Sequence, residues 1–280
     1  MKRIGYIDYY LDEWHALNYP QWIREESDGA WAVTAAWADI EGTTFGRRTN
    51  RETADALGIE LVSDLDRLIA ASDALIVLSP DDPAEHERLA TAALRSGKPV
   101  YVDKTFAPDR ATAIRMFELA AEHGTPMYST SALRYSSAWE SIEAAEIAGL
   151  TSRGGGLLEN YIIHQLEPIS LFVGHDAKRV LASGSPGCEF FLVEYSGGRS
   201  VSITQQPALG FAITALLRDG QAVEMQANDA YFPPMIAAMI RFFDSGEPPV
   251  PATDTIALMS LREAVLRAAR DRGSWVNVES

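Results

Sequence analysis

The sequence predicts a two-domain α/β protein in which a doubly wound parallel sheet precedes an α+β domain with a mostly antiparallel open sheet. Three observations carry this reading. Strand and helix patterns alternate over the first 130 residues. The run ALIVL at residues 74–78 is apolar without alternation, as expected of a strand buried on both faces of a parallel sheet. Beyond residue 131 strand-like segments follow one another, with Gly197-Gly198 and Asp219-Gly220 as hairpin turns.

Residues 3–7 form a short apolar strand, 14–26 a helix and 31–38 a second strand rich in Val, Thr and Trp, which together make a βαβ unit. Thr49 with Glu52 is a capping-box pattern before a helix that stops at Gly58, and Ser63 with Asp66 repeats the pattern. After the 74–78 strand, a helix opens at Pro83 and closes at Gly97. Residues 100–102 read as a strand, 109–123 as a helix and 127–129 as a strand. In the second half, strands are expected at 156–161, 189–195, 200–204, 211–217 and 221–226, and helices at 137–148, 164–173, 234–244 and 254–270. The implied domains are 1–130, Rossmann-like, and 131–280, α+β.

With 280 residues and 47% hydrophobic content, the chain can bury two cores. A net charge of −15, without a basic patch, argues against nucleic acid as a partner. No run of about 18 apolar residues occurs, so no membrane span is expected and the reading is a soluble, cytoplasmic protein. The single cysteine, Cys188, permits no intrachain disulfide, and no metal-ligand spacing is present.

Four segments together resemble the Gfo/Idh/MocA oxidoreductases. GKPVYVDKTFAPDRATAIRMFELAAEHGTPMY (97–128) is similar to the region around the family's E-K-P motif, here Asp103-Lys104-Thr105. DALIVLSPDDPAEHERLATAAL (73–94) has the apolar strand, Pro-containing turn and His of the family. NYIIHQLEPISLFVG (160–174) resembles its D-x-x-x-H segment and following helix, and the ending GEPPVPATDTIALMSLREAVLRAARDRGSWVNV is also similar. The resemblance implies an N-terminal nicotinamide-binding domain and a C-terminal domain that provides the substrate site and often an oligomer interface. It further implies oxidation or reduction of a sugar, polyol or related hydroxy compound, with NAD or NADP as cofactor and a homodimer or homotetramer as the assembly.

The first β-α turn departs from that pattern. A dinucleotide site needs glycines there so that backbone amides can approach the pyrophosphate. Alignment with the family places Asp8, Tyr10 and Glu13 at those positions, with Tyr9 between the first two, and Gly5 falls too early. Two accounts stand: the cofactor is retained through other contacts, or the dinucleotide site is lost or reshaped, leaving a non-redox ligand-binding, lyase or isomerase protein. Asp39 stands where the family's ribose-binding acid lies, which favours NAD over NADP. Ser79 and Pro80 end the central strand and would flank the nicotinamide.

Oxidation of an alcohol needs a base for the hydroxyl proton and a group that steadies the developing oxyanion. Lys104, one of four lysines, and His164 are the candidates. Asn160, where many relatives have Asp, would orient His164, and Tyr161 faces either the site or the core. Arg134 and Tyr135 resemble a family segment that approaches substrate. His86 reads as structural, and His123 suits a helix C-terminus. Asp8, Asp12, Glu13 and His15 crowd one turn, and a solvated acidic loop is the simplest expectation for them.

Overall fold

The computed structural model describes residues 1–79 and 82–279, and the chain divides into two compact units. The first comprises Met1–Ser129 and Pro233–Ala252, the second Thr130–Phe232 and Thr253–Ser280.

In the first unit the chain runs β1 (Lys2–Asp8), α1 (Trp14–Glu26), β2 (Trp31–Ala38), α2 (Asn50–Leu57), β3 (Glu60–Leu61), α3 (Leu65–Ala71), β4 (Ala74–Val77), α4 (His86–Leu94), β5 (Val100–Val102), α5 (Arg110–Glu122) and β6 (Met127–Tyr128). All six strands are parallel, in the order β3-β2-β1-β4-β5-β6. The direction of winding reverses between β1 and β4, and ligands of such sheets bind outside the carboxyl ends of the strands at that point. β4 is buried along its whole length, as its unbroken apolar run requires. The capping box of Thr49 and Glu52 is formed. α3 is capped by Asp64 rather than by Ser63, and α4 is shorter than expected, beginning at His86 and ending at Leu94. Gly5 lies inside β1 because α3 presses on it: a Cβ there would run into the Ser72 hydroxyl and the Leu68 side chain.

The second unit contains β7 (Ile147–Gly154), α6 (Leu158–Tyr161), α7 (Ile163–Val173), β8 (Ala177–Ser185), β9 (Cys188–Tyr195), β10 (Ser200–Gln205), β11 (Ala212–Leu217) and β12 (Ala222–Gln226). The chain continues through α8 (Phe232–Ser245), α9 (Ala252–Arg270) and β13 (Trp275–Asn277). Its seven-stranded sheet has the order β12-β11-β7-β10-β9-β8-β13, and only the β7–β10 pair is parallel. Three local expectations fail here. Residues 137–148, read as a helix, form 3₁₀ turns leading into β7, which is held between β10 and β11. The segment read as a strand at 156–161 is the short helix α6, which follows Gly156 at φ +78°. β8 and β13 have no counterpart among the predicted strands.

Unlike the division expected at residue 130, most of α8 returns to the first unit. Phe243 packs on Trp31 with ring centroids 5.4 Å apart, Phe242 on Tyr128 at 4.8 Å, and Asp244 receives bonds from Lys2 and the Trp31 indole. Among the described residues no helix is long and apolar enough to cross a membrane.

Replacing Gly5 by Val should overfill the β1–α3 contact and destabilise the first unit by about 1–3 kcal/mol. The measurement is the urea midpoint of the variant against the parent, and an unchanged midpoint would show that α3 yields freely.

Candidate functional site

The carboxyl edge of the first sheet carries most of the residues singled out for cofactor binding. Asp8 ends β1 and is completely buried. Its Oδ1 accepts the Tyr9 amide at 2.7 Å, and no hydrogen-bond partner meets its Oδ2. Burial first, then the nearby Glu13 carboxylate, push the Asp8 carboxyl well above its ordinary pKa. Tyr10 is buried, with its ring 4.9 Å from Phe45 and the Arg47 guanidinium 5.4 Å above it. Leu11 is buried, and its amide donates to Asn50 Oδ1 at 3.0 Å.

Glu13 is the N-cap of α1. Its carboxylate accepts the His15 amide at 2.8 Å and also the Ala16 amide. His15 Nδ1 lies 3.2 Å from Asp103 Oδ2 and 3.5 Å from Glu13 Oε2. Burial pulls the His15 pKa down, but Asp103 and Glu13 outweigh it and hold the imidazole above its ordinary value. Asp103 is likewise pushed up by burial, yet His15, Lys104 and His86 bring it below the usual range. The acidic turn is therefore not a solvated loop. Asp8 and Glu13 are interior, Asp12 is tied to Arg48 at 2.8 Å, and His15 bridges this turn to the Asp-Lys-Thr segment. No residue from 8 to 13 has positive φ, so this turn closes without glycine.

Lys104 is half-buried just past β5, and its peptide with Thr105 is cis. His86 is buried, and its Nδ1 lies 2.9 Å and 3.1 Å from the Thr105 and Phe106 carbonyls, which can only accept. That nitrogen therefore carries the proton, and burial lowers the pKa, so the ring is a neutral clamp on the segment after Lys104. Asp39 follows β2, and its carboxylate is 2.7 Å from Arg88. Ser79 is buried beyond β4 and donates to the Asp82 carbonyl at 3.0 Å. Pro80 lies outside the described residues.

The second unit assembles a separate polar group. His164, on α7, has its Nδ1 2.6 Å from Ser131 Oγ, so Ser131 takes the orienting position expected of Asn160, which sits on α6. Tyr161 and Phe211 meet the imidazole edge-on, at 5.4 Å and 5.8 Å between ring centroids. Tyr161 is partly exposed, and its ring occupies the space that a Cβ at Gly156 would fill. One turn beyond His164, Glu167 accepts the Ser131 amide at 2.6 Å and the Thr130 hydroxyl at 2.5 Å. Arg134 is 3.8 Å from Glu167, and Tyr135 is partly buried on the same 3₁₀ turn. Burial raises Glu167 to about 7 against the opposing pull of Arg134, Thr130 and Ser131. His164 also lines a recess of about 160 Å³ with Phe211, Trp139 and Arg153.

Sequence reasoning passed over His15–Asp103, Ser131 and Glu167. The last had a visible signal, because an H-x-x-E spacing puts both side chains on one helix face.

The fold is that of a two-unit α/β protein, with a doubly wound Rossmann-like sheet first and a mixed open sheet second. Residues 31–130 match the sequence model of the Gfo/Idh/MocA oxidoreductase family, NAD-binding Rossmann fold, and the resemblance read from the residues is borne out. The matched stretch begins at β2, beyond the first β-α turn. No curated protein matches the chain in sequence. Solved structures share the fold over the whole length. A myo-inositol 2-dehydrogenase from Lactobacillus plantarum has a TM-score of 0.81 at 15% identity, covering 99% of each chain. The WlbA dehydrogenase from Bordetella pertussis, in complex with NADH and UDP-GlcNAcA, has 0.77 at 17%, covering 100% of each. A probable dehydrogenase from Thermotoga maritima has 0.79 at 17%, covering 99% of this chain and 98% of that one.

Asp39 follows β2 and Lys104 follows β5 on the carboxyl edge of the sheet, and the head of α1 is capped by Glu13.

Two outcomes follow from the titrating groups. Asp103→Asn should lower the His15 midpoint, because it removes an adjacent opposite charge. An NMR titration of the imidazole reads this, and an unmoved midpoint refutes the pairing. The raised pKa of Glu167 means that the folded state holds this proton more tightly than the unfolded chain. The resulting stability is complete below the ordinary value of 4.5 and is lost as pH rises to about 7, on the order of 3 kcal/mol in all. Denaturation at pH 4.5 and 7.5 should show Glu167→Gln flattening that loss.

Proposed function

We propose that the chain is an NAD(P)-dependent oxidoreductase acting on a sugar, polyol or related hydroxy compound. The observation that carries this reading is the family match over residues 31–130, which spans Asp39, Ser79 and Lys104 on the carboxyl edge of the first sheet. Asp39 supports NAD over NADP, because a carboxylate accepts a bond from the ribose hydroxyl and repels a phosphate there.

The residues of the chain have roles that follow from their chemistry. The Lys104 ammonium supplies positive charge where an oxyanion develops. His164 exchanges a proton at Nε2 while Ser131 holds Nδ1 and fixes the ring. Arg134 and Tyr135, with Asn160 and Tyr161, supply donors to hydroxyl groups. The outward face of β9, with Phe190 and Leu192 exposed, supports a homodimer or homotetramer. A cytoplasmic location accords with the single cysteine.

A second reading is a non-redox lyase, isomerase or ligand-binding protein of the same fold. Glu13 at the head of α1 is the observation in its favour.

Calorimetric titration with NAD⁺, NADH, NADP⁺ and NADPH separates the two. Binding of at least one supports the first reading, and binding of none by folded protein rules it out. With a substrate in hand, Lys104→Ala and His164→Ala should each slow turnover about tenfold to a hundredfold.

A further inference from the structure

The head of the first helix in a dinucleotide-binding sheet receives the pyrophosphate because its amides have no partner within the helix. Here the Glu13, His15 and Ala16 amides are already engaged. The His15 and Ala16 N–H groups donate to the Glu13 carboxylate, the Glu13 N–H to the Leu11 carbonyl at 2.8 Å, and the Leu11 N–H to Asn50. The Tyr9 N–H donates to Asp8.

The volume is engaged as well. Tyr10, packed against Phe45 beneath Arg47, and the fully buried Leu11 occupy the turn where glycines would leave room for phosphate oxygens. Glu13 is itself only 3% exposed, and His15 Nδ1 is shared between it and Asp103. A pyrophosphate entering this place would meet both a carboxylate and donors that are already satisfied.

We propose that Glu13 is an internal occupant of the diphosphate place, competing with dinucleotides for the head of α1 and setting the specificity of this edge against diphosphate-bearing ligands. Glu13, not Asp8, is the carboxylate that meets the amides at the head of α1, because Asp8 ends β1 and accepts the Tyr9 amide there. The proposal concerns the turn alone and holds under either reading of the function.

The test is calorimetric titration of the full chain with inorganic pyrophosphate and with NAD⁺, comparing the parent with Glu13→Ser and Glu13→Gln. Serine keeps a capping oxygen while vacating the space. Glu13→Ser should bind both ligands at least about tenfold more tightly than the parent. Glu13→Gln, which drops the charge and keeps the bulk, should gain less. Folding is checked by circular dichroism, and if the serine variant does not fold, the glutamine variant decides by gaining affinity or not.

A folded variant that binds neither ligand more tightly than the parent overturns the proposal. The two conclusions fail separately. NAD⁺ binding by the parent without a gain on substitution overturns the role of Glu13 and leaves the oxidoreductase reading standing. A gain by the variants, with no dinucleotide bound by the parent, supports the role of Glu13 and removes that reading.

Discussion

The Glu13 carboxylate at the head of α1 organises the first unit's functional edge, because burying it creates demands that its neighbours must meet. Two like charges about 4 Å apart at an effective dielectric near 20 repel by about 4 kcal/mol, so Asp8, Glu13 and Asp103 cannot all be ionised at one sheet edge without compensation. Each is accommodated differently. Glu13 has the His15 and Ala16 amides and the positive end of the helix dipole. Asp103 has His15, Lys104 and His86. Asp8 is pushed well above the usual carboxyl range, by burial first and then by the Glu13 carboxylate. His15 joins two of these solutions, so the conformation of the first turn depends on a residue after β5.

The second unit solves a similar problem around Glu167. Here the carboxyl group anchors the segment at Thr130 and Ser131 to α7, and Ser131 in turn meets His164. Positioning of the imidazole therefore rests on a short hydrogen-bonded circuit between one helix and one loop. Arg134 supplies a charge at 3.8 Å that tempers the burial of Glu167 without fully cancelling it.

The sequence reveals the first unit far better than the second, for physical reasons. Fully buried parallel strands such as β4 leave unbroken apolar runs, and helix ends such as Thr49–Glu52 leave capping residues, so local chemistry reports local structure. β7 lacks that agreement. The run leading into it, Ile142 to Ala148, is rich in Ala and Glu and favours helix, yet pairing with β10 and β11 on both sides makes its later part a strand. β13 has three residues, too few for any period to register. The candidate residues divide in the same way. Lys104 and His164 are visible from their motifs, whereas the contact of His15 with Asp103 joins positions far apart in the chain and only the folded sheet edge brings them together.

The absence of glycine from residues 8–13 and the presence of Glu13 at the head of α1 fit one arrangement of the turn. Glycines in this turn serve two ends, positive φ and close approach of a ligand, and here neither is required. The backbone from residue 8 to 13 closes with negative φ throughout, and the approaching anion is the chain's own side chain, which needs no open cradle. A backbone N–H well aligned to one acceptor cannot serve a second equally well, so the His15 and Ala16 amides donate either to Glu13 or to a phosphate. Because the carboxylate is covalently tethered beside them, it loses little translational freedom on docking, whereas a free ligand must give up all of its own. The internal anion thus holds the helix head at an advantage that an external diphosphate has to overcome.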